Sequence, residues 1–267
     1  MPVVLFLVVM LLSPAAGVAH AAEADLNHVH LTVTNGDVAA QWYINHMGCQ
    51  ATPARTDAAQ CGSVQLLFIA RPARGGNEGT AVNHISFSFA DLAAKVTQLV
   101  AVGVAGSGVR VMDRESPIHV EPGLFKVAFV KDPWGTKVEL VEDPEHLGFH
   151  HVHLFSADPK ATLAWYEKAF GGKPGKLKGP LTGILYGKTW LVVSQSTGPD
   201  ALRPTEGRTI DHIGFAVPNL DTATADLKSK GVQLRGGGAA GSTEPSENTK
   251  ALMMTGPDNI LVEAVQR

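Results

Sequence analysis

Four histidines in this chain recur in one setting. They stand in NHVHLT from Asn27, NHISFS from Asn83, HHVHLF from His150 and DHIGFA from Asp211. The second residue of each copy is the histidine (His28, His84, His151, His212), a polar residue precedes it, and a β-branched residue follows. Imidazole at repeated, equivalent positions is the raw material of a metal centre, with hydrogen-bonded structural histidine as the ordinary alternative. Two glutamates add to the pattern. Glu139 in KVELVE and Glu263 in ILVEAV each lie six residues after a turn proline, within otherwise apolar runs. A carboxylate in that setting belongs to a solvated edge strand or is a ligand. Two imidazoles and one carboxylate with open positions suit Fe(II), and also Mn, Co, Ni or Zn.

The elements that must position these groups are strands. Side chains alternate across a strand. Val29, Leu31 and Val33 therefore oppose His28, His30, Thr32 and Thr34, and the other three copies divide in the same way. One face can pack under a helix while the histidine face lines a cavity. The copies are spaced regularly: His84 follows His28 by 56 residues, His212 follows His151 by 61, and His151 follows His28 by 123. Such self-similarity marks internal repetition. Trp42-Tyr43 and Trp165-Tyr166 each fall 14 residues after the leading histidine of an odd copy, and Gly48 and Gly171 each fall 20 after it. In the even copies Asp132-Pro-Trp-Gly135 and Gly256-Pro-Asp-Asn259 read as β-turns into closing strands.

These residues resemble the vicinal oxygen chelate superfamily, which includes glyoxalase I, bleomycin- and fosfomycin-resistance proteins and extradiol dioxygenases. The resemblance runs through residues 26–267. It implies an α+β fold of four βαβββ modules in two tandem domains, 26–143 (modules 26–75 and 82–143) and 148–267 (modules 148–197 and 209–267). It places metal ligands on the first and last strands of modules: His28, His84 and Glu139 in one half, His151, His212 and Glu263 in the other. The implied cofactor is a divalent metal (Fe, Mn, Zn, Ni or Co) and the partner a small molecule with vicinal oxygens.

Helices are expected from about 37 to 47 with Gly48 as the stop, from Asp91, from Asp158 through about 170, and over 219–230. Residues 143–148 read as the linker between halves, and the glycine-rich stretch 235–246 as a loop bordering a cavity. His30 and His153 share a face with His28 and His151, as supporting donors, alternative ligands or plain cavity residues. His150 falls on the opposite face and reads as structural. His119 reads as an exposed loop residue or an acid–base group. His46 and His146 read as surface residues, and Trp42 and Trp165 as helix-face core.

The net charge of −3 leaves no basic stripe for nucleic acid. Residues 1–22 carry an apolar run followed by small residues, the pattern of a cleaved secretory signal. The expectation is therefore an exported protein, periplasmic or secreted, with no stable membrane span after cleavage. Cys49 and Cys61 then read as a disulfide, with two free thiols as the alternative. Departures from relatives narrow the activity. Ser194 to Ile210 holds no histidine and Gln233 to Gln266 no tyrosine, against extradiol ring cleavage. His30 and Ser86 stand where fosfomycin-type transfer wants threonine, and export argues against glutathione. A metal-dependent lyase, isomerase or dioxygenase is one reading. A metal-free binding protein of the bleomycin-resistance kind is the other. A division of labour, with one half metal-bound and one degenerate, is a third. No catalytic residue beyond the ligands is identified.

Overall fold

The computed structural model describes residues 24–113, 117–120, 123–198, 202–235 and 251–266. Residues 1–22, expected to be a secretory signal, and most of the loop at 235–246 lie outside the described residues. Four modules follow one another. Module 1 is β1 (Asp25–Val33), α1 (Gly36–Met47), β2 (Gln50–Thr52), β3 (Arg55–Cys61) and β4 (Val64–Ala70). Module 2 is β5 (Val82–Ser88), α2 (Leu92–Val102), β6 (Arg110–Val111), β7 (His119–Val120), β8 (Lys126–Lys131) and β9 (Lys137–Val141). Module 3 is β10 (Gly148–Ser156), α3 (Pro159–Phe170), β11 (Lys173–Leu177), β12 (Leu181–Tyr186) and β13 (Thr189–Gln195). Module 4 is β14 (Ile210–Val217), α4 (Leu220–Ser229), β15 (Gln233–Leu234), β16 (Ala251–Thr255) and β17 (Leu261–Gln266).

All four helices begin on one device. Asn35, Asp91, Asp158 and Asn219 each accept, through the side chain, the backbone N–H three residues on. This satisfies a donor that the first helical turn leaves open. Gly48 closes α1 at φ 76°, a left-handed conformation that costs glycine little. The glycine-bearing stretch after α2 is a single wide helical turn, Gly103–Ser107.

Sheet order fixes which modules meet. One sheet runs β15-β16-β17-β14-β1-β4-β3-β2 and joins module 1 to module 4. The other runs β11-β12-β13-β10-β5-β9-β8-β6 and joins module 3 to module 2. At the centre of each, first strands pair antiparallel: β1 with β14, and β10 with β5. This differs from the expected pairing of consecutive modules, in which 1 would close on 2 and 3 on 4.

The predicted apolar faces are buried, including Val29, Leu31, Ile85, Phe87, Val152, Leu154, Ile213 and Phe215. They pack through the odd helices, which touch both sheets. The Tyr43 ring of α1 lies 5.7 Å from Phe68 of its own sheet and 6.2 Å from Phe87 of the other. Phe170 of α3 stacks at 4.1 Å on Phe215 of the opposite sheet. Tyr43 also donates from its hydroxyl to Asp132 Oδ2 at 2.9 Å, tying α1 to the turn before β9. Trp42 is buried and Trp165 packs against the core. Cys49 and Cys61 form a disulfide that fastens the end of α1 to β3. Among the described residues no helix is long and apolar enough to cross a membrane.

Candidate metal centres

Cross-pairing of modules regroups the six predicted ligands. His28 does not meet His84, nor does His151 meet His212. The first centre is His28 of β1, His212 of β14 and Glu263 of β17; the second is His84 of β5, His151 of β10 and Glu139 of β9. The cause is register. His30 pairs with His212 and His28 with Gly214 across β1/β14, while Gly214 pairs with Glu263 on the far side. The second sheet repeats this with His153 opposite His84, His151 opposite Ser86, and Ser86 opposite Glu139. All six side chains are buried.

Each leading histidine is oriented by the residue before it. Asn27 Oδ1 lies 2.9 Å from His28 Nδ1, Asn83 Oδ1 2.8 Å from His84 Nδ1, and Asp211 Oδ1 2.6 Å from His212 Nδ1. His150 Nδ1 lies 2.8 Å from His151 Nδ1. Neighbours on a regular strand point to opposite faces and do not meet. Here the ladder registers slip at these four residues: between Leu26 and His28, between Phe149 and His151, and where β14 and β5 skip Asp211 and Asn83. Each is the extra residue of a β-bulge, which turns its side chain toward the following histidine. His150 is therefore not on the opposite face; it backs His151 and its Nε2 faces Asp143 Oδ2 at 3.4 Å.

These partners set the tautomers. Asn83 Oδ1 also accepts from Lys137 Nζ at 3.0 Å, so it is the oxygen that faces His84 Nδ1–H. Asp211 is an acceptor, further held by Arg71 at 2.9 Å and the Gly207 amide at 2.6 Å. His150 donates through Nε2 to Asp143, which leaves its Nδ1 to accept from His151. For His84 and His151 this leaves Nε2 bare and turned inward, the arrangement of a ligating histidine, whereas the Nε2 atoms of His28 and His212 meet Glu263.

The two centres differ in closure. In the second, His84 Nε2 is 3.6 Å and His151 Nε2 3.2 Å from Glu139 Oε2, and none of the three atoms has a hydrogen-bond partner. Ser86 Oγ beside them is also buried without a partner. Leaving one such atom unsatisfied costs about 1–3 kcal/mol, and here they converge on one point. Burial pushes His84 down, to the neutral imidazole, while Glu139 stays well below its usual range: burial opposes this, but His84 and His151 outweigh it. Bare imidazole nitrogens beside a carboxylate are the donor set a divalent ion takes.

In the first centre Glu263 Oε2 lies 2.8 Å from His28 Nε2 and 3.0 Å from His212 Nε2. Burial lowers His212, but Asp211 and Glu263 outweigh it and raise it to about 8. Burial lowers His28. The trio fits an ion, and it also fits an internal imidazolium–carboxylate pair. His30 packs 4.1 Å from the His212 ring, its Nδ1 buried without a partner, within the same ligand cluster. His153 joins His84 and His151 in theirs, with its Nε2 at 2.8 Å from Ser194 Oγ. Gly214 is required: a Cβ there would lie 2.0 Å from the His28 ring.

Other predicted residues lie elsewhere. His119 faces Asp113 at 3.5 Å on the surface. His46 ends α1 beside Trp42. His146 is half exposed but bonds Asp143. Sequence reasoning missed Asp143, Ser86 and the roles of Asn27, Asn83 and Asp211, although the polar residue before each histidine was itself a signal.

Residues 148–264 match the model of the Glyoxalase/Bleomycin resistance protein/Dioxygenase superfamily. No curated protein matches the chain in sequence. Among solved structures, glyoxalase I from Zea mays is similar with TM-score 0.63 and 19% identity, covering 92% of this chain and 93% of that one. A point mutant of the same maize enzyme gives 0.65 and 18%, with coverage of 91% and 94%. At this identity the likeness carries the fold. The likeness to that superfamily in sequence lies in residues 148–264, and the chain as a whole has the two-sheet, four-module fold of glyoxalase I.

Proposed function

We propose that this chain is an exported metal-dependent enzyme of the vicinal oxygen chelate type, acting on a small molecule with paired oxygens. A divalent ion (Fe, Mn, Zn, Ni or Co) would be held by His84, His151 and Glu139, and a second by His28, His212 and Glu263. The observation that carries the reading is the convergence of three unpartnered buried atoms, His84 Nε2, His151 Nε2 and Glu139 Oε2. When bound, such an ion polarises a chelated substrate's oxygens, which supports lyase, isomerase or oxygenase chemistry. The chain's own residues hold the geometry. Asn83, His150, Asn27 and Asp211 fix the imidazoles, the buried strands keep bulk water from the ligands, and Ser86 Oγ offers a donor to a ligand oxygen.

The test is metal content of the mature protein after reconstitution with Fe(II), Mn(II) and Zn(II), beside Glu139→Gln and Glu263→Gln. The expected result is loss of one ion per chain in each variant. No retained ion in the wild type would discard the reading. A second reading, a metal-free binding protein, is favoured by the closed hydrogen bonds of Glu263 to His28 and His212. It predicts ligand affinity that survives a chelator.

A further inference from the structure

Where β9 gives way to β10, three more ligand atoms face one another, outside both centres. Asp143 is buried and divided. Its Oδ1 accepts from the Glu145 amide at 3.2 Å and from Lys178 Nζ at 3.3 Å. Its Oδ2 is turned to two imidazoles, His146 Nδ1 at 3.0 Å and His150 Nε2 at 3.4 Å. The three atoms Oδ2, Nδ1 and Nε2 come from a turn and the strand after it, and such atoms of these residues lie within 4.8 Å of one another.

We propose that Asp143, His146 and His150 form a third cation site, for a Zn(II)-type divalent ion. A tetrahedral ion with ligands at about 2.0–2.1 Å sets donor atoms about 3.3 Å apart. The edges of 3.0 and 3.4 Å fall on either side of that value. Two nitrogens and one oxygen select Zn(II), Co(II), Ni(II) or Cu(II) over Ca(II) and Mg(II), which take oxygen ligands. The Asp143 backbone is held in place: Ser88 Oγ donates to the Asp143 carbonyl at 2.8 Å, and the Asp143 amide donates to Ser88 Oγ at 3.0 Å. His146, with its side chain 49% exposed, opens the fourth position to solvent. The ion pins the turn joining modules 2 and 3 onto β10. Lys178 opposes it, because its charge faces the same carboxylate.

The site shares His150 with the support of His151, an ion there taking the place of the His150 Nε2 proton, so its test is read at His146, which touches neither His/Glu centre. Metal-stripped protein is loaded with Co(II) or Zn(II), and ions per chain are counted. The count is made in the wild type and in the Glu139→Gln/Glu263→Gln background. His146→Asn, at an exposed position that leaves the fold intact, is expected to hold one ion fewer than its parent in both backgrounds. Equal counts overturn the site. His46→Asn is the control for chance binding to an accessible imidazole; an equal loss there also overturns it. Lys178→Met is expected to tighten the ion severalfold, and weaker binding would contradict the assignment.

Discussion

At the residue scale, the proposed centres depend on side chains that would not themselves touch an ion. Asn83 accepts from His84 Nδ1–H and is itself locked by Lys137. Asn83→Leu is expected to weaken ion binding at the second centre about 10–100-fold, the usual cost of losing such a partner, while the first centre keeps its affinity. Metal titration of each centre in a Glu263→Gln or Glu139→Gln background separates them. Gly214 gives the complementary case. Its Cβ would overlap the His28 ring, so Gly214→Ala is expected to remove the ion of the first centre alone. Retention of both ions would show that His28 is dispensable. The leading histidines and both glutamates were legible from the chain because duplication repeats them in register. Ser86 and Gly214 were not, since nothing local says which side chain will lie opposite.

At the element scale, the turn before β9 carries a buried charge. Asp132 Oδ1 accepts the amides of Trp134 at 3.0 Å and Thr136 at 2.7 Å, and its Oδ2 takes the Tyr43 hydroxyl. Burial outweighs these bonds and raises Asp132 to about 6. The folded chain thus binds this proton more tightly than the unfolded one, so Asp132 costs stability as pH rises from about 4 through 6. The cost above that window is on the order of 2–3 kcal/mol. Asn keeps an oxygen for the amides and carries no charge. The difference in urea midpoint between Asp132→Asn and wild type is expected to move in the variant's favour from pH 4 to pH 7. A difference flat in pH would contradict it. The turn itself was readable from Pro133 and Gly135. Its reach to α1 was not, because that contact joins residues 89 positions apart. The bulges were half legible: a polar residue stood before every histidine, but a register slip leaves no mark on alternation.

At the scale of the whole molecule, local pattern gave the modules and their faces, and pairing lay beyond it. Any first strand with an open edge can meet any other, and the choice is made where β1 finds β14 and β10 finds β5. Each ligand set therefore takes one histidine from an odd module and a histidine and glutamate from an even one, on opposite sides of residues 143–148. Neither half of the polypeptide owns a centre. A chain of half this length, with one odd and one even module, would complete a ligand set only by clasping a second copy of itself, each lending its odd strand to the other's even one. The short segment at 143–148 makes one molecule of what would otherwise be a reciprocal pair.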